Sequence, residues 1–109
     1  MIGEYEYLIL AATARLGTGA YGAAIRLQIE DCTKRACSVG ALYTTLDRLE
    51  EKGFIETWMG NATPQRGGRA KRMVRITASG LRAATDFYKA VRRSSSGVPW
   101  ETTRVGGQP

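Results

Sequence analysis

Apolar residues recur at helical spacing in the first part of the chain and predict a helix from Glu4 to Leu16. One stripe of this helix consists of Tyr5, Leu8, Ile9, Ala12 and Leu16. Further apolar residues cover its other sides, and a helix that is apolar all round must be covered on more than one face. In so short a chain, we expect a partner subunit to supply the second cover.

Two further helices follow with a short turn between them. The second helix is predicted from Ala23 to about Asp31, and residues 34–37 form the turn. Ser38 is a good N-cap for the third helix, because its hydroxyl can accept a hydrogen bond from a free amide of the first turn. The core stripe of the third helix is predicted to be Val39, Leu42, Leu46 and Leu49. Gly53 lies where a left-handed C-terminal cap is expected.

The second half of the chain changes to two β-rich segments and then returns to a helical period. Strands are predicted at Phe54–Met59 and Arg72–Ile76, joined by a long glycine-rich loop. Thr77 can cap a last helix that runs to about Arg93. Its stripe of Leu81, Ala84, Tyr88 and Val91 is broadened by Ala83, Phe87 and Ala90. Residues 94–109 show no periodicity and are expected to form a flexible tail.

This order of elements predicts a mainly α fold with a two-stranded β-hairpin. The second and third helices form a helix-turn-helix, and the hairpin is its wing. The last helix is additional to this winged helix-turn-helix, and its wide apolar stripe predicts that it dimerises together with the first helix. A length of 109 residues fits one domain, which we expect to span residues 1–93.

The positive charge of the chain is concentrated in one stretch. The formal net charge is +6, and no acidic residue lies between Thr57 and Ala84. The six basic residues of this stretch are Arg66, Arg69, Lys71, Arg72, Arg75 and Arg82. Elsewhere the basic and acidic residues balance, so the excess charge coincides with the predicted wing. Such a cluster is typical of a site for a polyanion, of which DNA is the commonest.

The outward face of the third helix suits contact with DNA. Opposite its core stripe lie Gly40, Ala41, Thr44 and Arg48. Small residues at the start of a helix allow a phosphate to approach the helix N-terminus, and a threonine hydroxyl and methyl suit a base edge. Tyr43, at the shoulder of this face, either reaches a phosphate or packs in the core.

The predicted wing carries four of the basic residues at or near its tip. Guanidinium groups pair with phosphates through two parallel hydrogen bonds, and a lysine ammonium attracts them as a point charge. We therefore expect contacts with the DNA backbone from Arg66, Arg69, Lys71 and Arg72. A solvated run of charges is the alternative interpretation of this segment.

Residues 38–53, with the sequence SVGALYTTLDRLEEKG, resemble the hallmark segment of the PadR family of transcriptional regulators. Tyr21-Gly22, the RGGRAKR wing and the segment from Ile76-Thr77 to Gly80 are similar to that family too, so the likeness covers roughly residues 3–91. The resemblance implies a winged-helix homodimer built with the last helix, binding a pseudo-palindromic operator and usually repressing neighbouring genes.

The resemblance is to the short members of the family, and it extends the predicted sites. It adds Tyr21 and Ser38 to the residues expected to bind DNA. The expected dimer contacts are Tyr5, Leu8, Ile9, Leu81, Ala84, Phe87, Tyr88 and Val91. Some short relatives bind aromatic or drug-like ligands between subunits, which leaves a small hydrophobic or aromatic effector open.

Catalytic and metal-binding residue types are scarce. The chain has no histidine, and its two cysteines, Cys32 and Cys37, supply at most half of a four-ligand zinc site. We expect free thiols, with a redox switch as the alternative. Because general acid–base catalysis lacks its usual side chains, neither an enzyme nor a cofactor is expected.

Protein binding and RNA binding are the alternative binding functions, and the sequence also bears on the cellular location. A protein-binding winged helix would present an apolar or mixed third-helix face, and an RNA-binding module an exposed aromatic platform. Trp58 and Trp100 are interpreted as packing or incidental residues rather than as a ligand platform. No segment approaches the roughly 20 apolar residues that cross a membrane, and the N-terminus has acids in place of the basic flank of a secretory signal. A cytoplasmic location is therefore expected.

Overall fold

Four helices and a two-stranded hairpin follow one another in the predicted order. The computed structural model describes residues 1–60 and 70–102, with side chains to residue 100. The helices are α1 (Glu4–Leu16), α2 (Gly22–Thr33), α3 (Val39–Glu51) and α4 (Ala78–Ser95), and the strands are β1 (Ile55–Met59) and β2 (Arg72–Ile76). Short 3-10 turns at Gly17–Gly19 and Pro99–Thr102 complete the described chain. The predicted fold class is thus confirmed.

Helix α1 lies at the centre and contacts α2, α3, α4 and β2. Its Ile9 and Leu10 side chains are fully buried among Ile25 of α2 and the leucines of α3. Because Ile9 has no exposed surface within the single chain, the prediction that it contacts a dimer partner is wrong. It belongs to the core that holds the protomer together.

Local signals set the bounds of α3. The Ser38 hydroxyl accepts a hydrogen bond from the Ala41 amide at 3.1 Å, as the N-cap prediction requires. Gly53 has a φ of +78° just after the helix ends, the left-handed conformation that glycine adopts without cost. Val39, however, is 54% exposed, so its place in the predicted core stripe is wrong.

The hairpin is antiparallel, and its register pairs Ile55 with Ile76 and Met59 with Arg72. Ile55 and Val74 bury their side chains in the core. The Val74 amide also donates to the Ala20 carbonyl at 3.1 Å, so the hairpin is attached to the segment that leads into α2. The wing therefore starts from a fixed base.

Helix α4 is attached both to the turn that precedes β1 and to α1. The Thr77 hydroxyl caps it by accepting from the Gly80 amide at 3.1 Å and donates to the Gly53 carbonyl at 2.7 Å. The rings of Phe87 and Tyr7 pack with centroids 5.0 Å apart. Phe87 thus packs on its own protomer, and because its side chain is only partly buried, its assignment to the dimer contact stays a prediction.

The C-terminal bounds differ slightly from the predicted ones. α4 continues to Ser95, two residues beyond the predicted end at Arg93. The flexible tail predicted for residues 94–109 lies partly outside the described residues and stays a prediction, with its start moved past the end of α4. In the part of the chain that the structure describes, no helix combines the length and apolar content needed to cross a membrane.

Candidate nucleic-acid interface

The outward face of α3 presents a continuous set of small and polar side chains. The residues that the sequence assigns to this face are all exposed, namely Gly40, Ala41, Thr44 and Arg48, and so is the N-cap residue Ser38. The opposite face buries Leu42, Leu46 and Leu49 completely. Apart from Val39, the large aliphatic residues of α3 are turned inward, so its exposed face consists mainly of small and polar residues.

Tyr43 packs between the two helices of the predicted helix-turn-helix. Its ring lies so close to Gly22 that a Cβ atom added there would be 2.7 Å from the Tyr43 Cζ atom. Of the two roles considered for Tyr43, these contacts support packing. They also explain why a glycine stands at the start of α2, since a side chain at this position would displace the ring.

The turn between α2 and α3 is held by Glu30. Its Oε2 atom accepts from the Cys37 amide at 2.7 Å and from the Arg26 Nη1 atom at 3.3 Å. Sequence reasoning missed this residue. The available signal was an acidic residue in the last turn of α2, where the helix dipole disfavours negative charge unless a specific partner compensates.

Tyr21 and Lys71, both predicted to bind DNA, lie together beside α3. The Lys71 Nζ atom is 4.3 Å from the centre of the Tyr21 ring. At this distance the ammonium is attracted electrostatically to the face of the ring. Tyr21 also forms an isolated bridge with Met73 of β2. The start of α2 and the base of the wing therefore share one surface. Arg66 and Arg69 lie outside the described residues.

Arg72 is not free for DNA in the way that the sequence suggests. Its Nη1 atom lies 2.9 Å from the Asp47 Oδ1 atom and its Nη2 atom 3.1 Å from the Glu50 Oε1 atom. Only 19% of its side chain is exposed. The expectation of a freely offered guanidinium is corrected here, because both partners belong to α3 and lie more than 20 positions away in the sequence.

The shifted pKa values belong to groups behind this surface. The Tyr5 hydroxyl lies 2.9 Å from the Cys37 Sγ atom, and burial, together with this neighbour, raises the Tyr5 pKa well above its usual range. Burial also opposes ionisation of Glu6. Hydrogen bonds from Lys52 and the Gly3 amide, with the charges of Lys52 and Arg48, outweigh it and lower the Glu6 pKa.

The cysteines are free thiols, Cys32 exposed and Cys37 buried. Within the described residues, no group of three or more histidine, cysteine or acidic side chains could hold a metal ion.

The sequence profile of the transcriptional regulator PadR-like family matches residues 9–86, which is most of the chain. The chain belongs to the PadR-like family. This is a family of transcriptional regulators rather than of enzymes. Among curated protein sequences, none matches the chain.

Solved structures of PadR-like regulators have the same fold. A PadR-like regulator from Bacillus cereus is 21% identical with a TM-score of 0.72, over 91% of each chain. A transcriptional regulator from Clostridium thermocellum is 21% identical with a TM-score of 0.69, over 90% of this chain and 92% of that one. In this PadR-like chain, α2 and α3 are therefore the helix-turn-helix and β1–β2 the wing.

A third neighbour was solved with nucleic acid. Bacillus subtilis PadR, in complex with operator DNA, is 26% identical with a TM-score of 0.62. The match covers 77% of this chain and 46% of that one.

Proposed function

We propose that this PadR-like regulator binds double-stranded DNA sequence-specifically, as a homodimer on a pseudo-palindromic operator, and represses transcription. The observation that carries the proposal is the exposed face of α3, with Gly40, Thr44 and Arg48 at its centre. The adjoining surface of Tyr21 and Lys71 supplies a cation beside it. The operator complex of the Bacillus subtilis relative supports the same partner for this chain.

Each part of this surface has a distinct role in the proposal. The N-terminal half of α3 enters the major groove, where Thr44 faces a base edge. Lys71 and the predicted tip residues Arg66 and Arg69 meet phosphates, which set affinity and salt dependence but carry no sequence information. Ser38 and Gly40 leave room for a phosphate at the helix N-terminus. Cytoplasmic location is part of the proposal, because DNA is the partner.

The exposed apolar stripe of α4 supports the homodimer. Leu81, Tyr88 and Val91 are each about half exposed. With Ala84, they follow the alternating three- and four-residue spacing by which helices pair. Tyr5 and Leu8 of α1 are only partly buried and complete the proposed contact. A small hydrophobic or aromatic effector at this contact stays a prediction.

Selection of duplexes from a random pool, followed by fluorescence anisotropy, tests the DNA-binding proposal. We expect one enriched sequence with two related half-sites about one helical turn apart. Thr44→Ala should relax the preference at one position of each half-site, by roughly 1–3 kcal/mol of discrimination. Thr85→Ala, an exposed threonine on α4, is the matched control and should leave the preference unchanged.

Two results would contradict the proposal. Equal affinity for the selected and a scrambled duplex would show that binding is not sequence-specific. Tighter binding to single-stranded RNA than to the selected duplex would show that RNA is the preferred partner. A reporter gene placed behind the selected operator then tests repression, since reporter output that rises with the protein would reverse the proposed sign.

A further inference from the structure

A compact polar contact joins α3 to the wing at its base. Asp47 and Glu50 lie three positions apart and so on the same side of α3. Each carboxylate binds one terminal nitrogen of Arg72, at 2.9 and 3.1 Å. A guanidinium that donates a hydrogen bond to one carboxylate and forms an ion pair with a second is held in a restricted orientation.

The same contact reaches the other strand of the wing. The second carboxylate oxygen of Glu50 accepts from the Thr57 hydroxyl at 2.8 Å. Thr57 belongs to β1 and Arg72 to β2, so the Glu50 side chain is bound to both strands at once. We call Asp47, Glu50, Thr57 and Arg72 the α3–wing brace.

The brace lies where the hairpin leaves the body of the protein. Arg72 pairs with Met59 at the last position of the register, and the Gly60 amide donates to the Lys71 carbonyl at 2.7 Å beyond it. Any rotation of the hairpin relative to α3 would have to break the Arg72 contacts. The orientation of the wing and that of α3 are therefore coupled.

We infer that Arg72 is a positioning residue, which sets the angle between the wing and α3 through Asp47 and Glu50, and does not bind a phosphate itself. The inference rests on the proposed function, and it gives Arg72 a positioning role in DNA binding in place of a phosphate contact. Two carboxylates beside a DNA-binding face repel the phosphate backbone and on their own would weaken DNA binding. A role in holding the wing explains why they are there. The guanidinium, neutralised by both, offers little net charge to DNA.

Three explanations of Arg72 make different predictions for the salt dependence of binding. If it binds a phosphate, Arg72→Met should flatten the slope of log affinity against log salt by about 0.9 for each phosphate that is no longer neutralised. If it only shields two acids, removing those acids should restore affinity. If it positions the wing, affinity should fall while the slope stays near that of the wild type.

The experiment measures the affinity of the full chain for its selected duplex at several salt concentrations. The variants are Arg72→Met, the double variant Asp47→Asn with Glu50→Gln, and the triple variant that combines them. As a positioning residue, Arg72 should give about a tenfold loss in each of the first two, and the triple variant should be no weaker than Arg72→Met, because coupled residues are not additive. The loss in the double variant is the sharpest expectation, since removing two negative charges should otherwise strengthen DNA binding.

Two further variants serve as controls. Lys71→Met removes the neighbouring cation, whose ammonium lies over Tyr21, and should flatten the salt slope. Thr57→Val removes one hydrogen bond of the brace without changing any charge, so a loss of affinity there cannot arise from counterion release. If circular dichroism shows that Arg72→Met does not fold, the affinity and its salt dependence are measured on Arg72→Lys and Thr57→Val instead.

The outcomes separate the inference from the proposed function. A flattened slope for Arg72→Met, or tighter binding by the acid-free double variant, overturns the brace while DNA binding stands. Recovery of wild-type affinity in the triple variant overturns it as well, in favour of shielding. Absence of duplex binding by the wild type at any salt concentration overturns both.

Discussion

Two glycines mark the places where elements approach each other most closely. At Gly22 an added Cβ atom would meet the ring of Tyr43, with the Cζ atom 2.7 Å away. At Gly80 it would meet the backbone of Phe54, with the carbonyl carbon 2.9 Å away. A side chain can rotate aside, whereas a backbone carbonyl that also accepts from the Thr77 amide cannot move without breaking that hydrogen bond.

We therefore expect Gly80→Ala to destabilise the fold more than Gly22→Ala. Overpacking of this kind costs about 1–3 kcal/mol, and Gly80→Ala should lie at the upper end. Urea denaturation followed by circular dichroism measures the difference. Gly40→Ala is the control, because its nearest neighbour would be 3.9 Å away, and alanine favours a helix by up to about 1 kcal/mol. A fold stabilised by Gly80→Ala would contradict the close approach.

The Glu6–Lys52 pair predicts how stability responds to acid. The carboxylate and the Lys52 ammonium lie 2.8 Å apart and join the start of α1 to the end of α3. Burial works against the charged carboxylate, but the hydrogen bonds and nearby cations lower the pKa of folded Glu6 below its ordinary value of 4.5. A group with a lowered folded pKa adds stability above its unfolded pKa and loses it as the pH falls through the folded one.

Glu6→Gln should thus lower the free energy of unfolding at neutral pH and flatten its decline below about pH 4.5. Urea denaturation between pH 3 and pH 7 gives both quantities. Glu4→Gln, which removes an exposed carboxylate from the same turn, is the matched control. The same acid profile in Glu6→Gln and the wild type would show that the pair does not contribute.

At the scale of the elements, boundaries set by a single residue were predictable from the sequence. Ser38, Thr77 and Gly53 each fix a helix end through contacts within a few positions, and the predicted α1 and β2 match the observed ones. The end of α2 was less accurate. It runs to Thr33 and closes on Lys34, which has a φ of +59°, and no glycine in the sequence signals that turn.

Lys34 should therefore be a site where glycine stabilises the fold. The left-handed conformation costs a residue with a Cβ atom about 1 kcal/mol, and Lys34→Gly should recover a comparable amount. The exposed contact of Lys34 with Asp31 at 3.8 Å is too weak to offset this. Thermal unfolding measures the gain, and Arg35→Gly, one position on and without a positive φ, should show none. An equal or lower melting temperature for Lys34→Gly would contradict the argument.

At the scale of the whole molecule, folding pairs some of the positive charges of the basic stretch with acids from elsewhere in the chain. The stretch from Thr57 to Ala84 contains no acid, yet Arg72 pairs with Asp47 and Glu50, and Arg75 pairs with Glu56. These partners come from outside the stretch and are brought in by the hairpin register and the packing of α3. The sequence predicts a DNA-binding face, which stays a prediction, and the set of cations that remain available there depends on long-range contacts that no local pattern encodes.

The apolar residues of α4 fall into two groups, one packed on the same protomer and one exposed to solvent. The exposed group provides a test of the dimer. Phe87 packs on Tyr7 of its own protomer, whereas Tyr88 and Val91 stay about half exposed. Tyr88→Glu should consequently separate the protomers without unfolding them, because the new charge lies on the exposed side. Lys89→Gln, the next residue on the same helix, changes the net charge equally and is the control. Sedimentation at micromolar concentration should give a dimer for the control and a monomer for Tyr88→Glu.

Loss of the dimer should appear in DNA binding as a loss of preference for the complete operator. Two linked DNA-binding units bind two half-sites more tightly than one by the effective concentration of the second unit, often by a factor of about 100 or more. The wild type should therefore prefer the full operator strongly over a duplex with a single half-site. Tyr88→Glu should bind both duplexes with the weaker, single-site affinity, since α3 and the wing are unchanged. Anisotropy titrations with the two duplexes measure the ratio, and an undiminished preference in a monomeric Tyr88→Glu protein would show that the operator does not need the α4 contact.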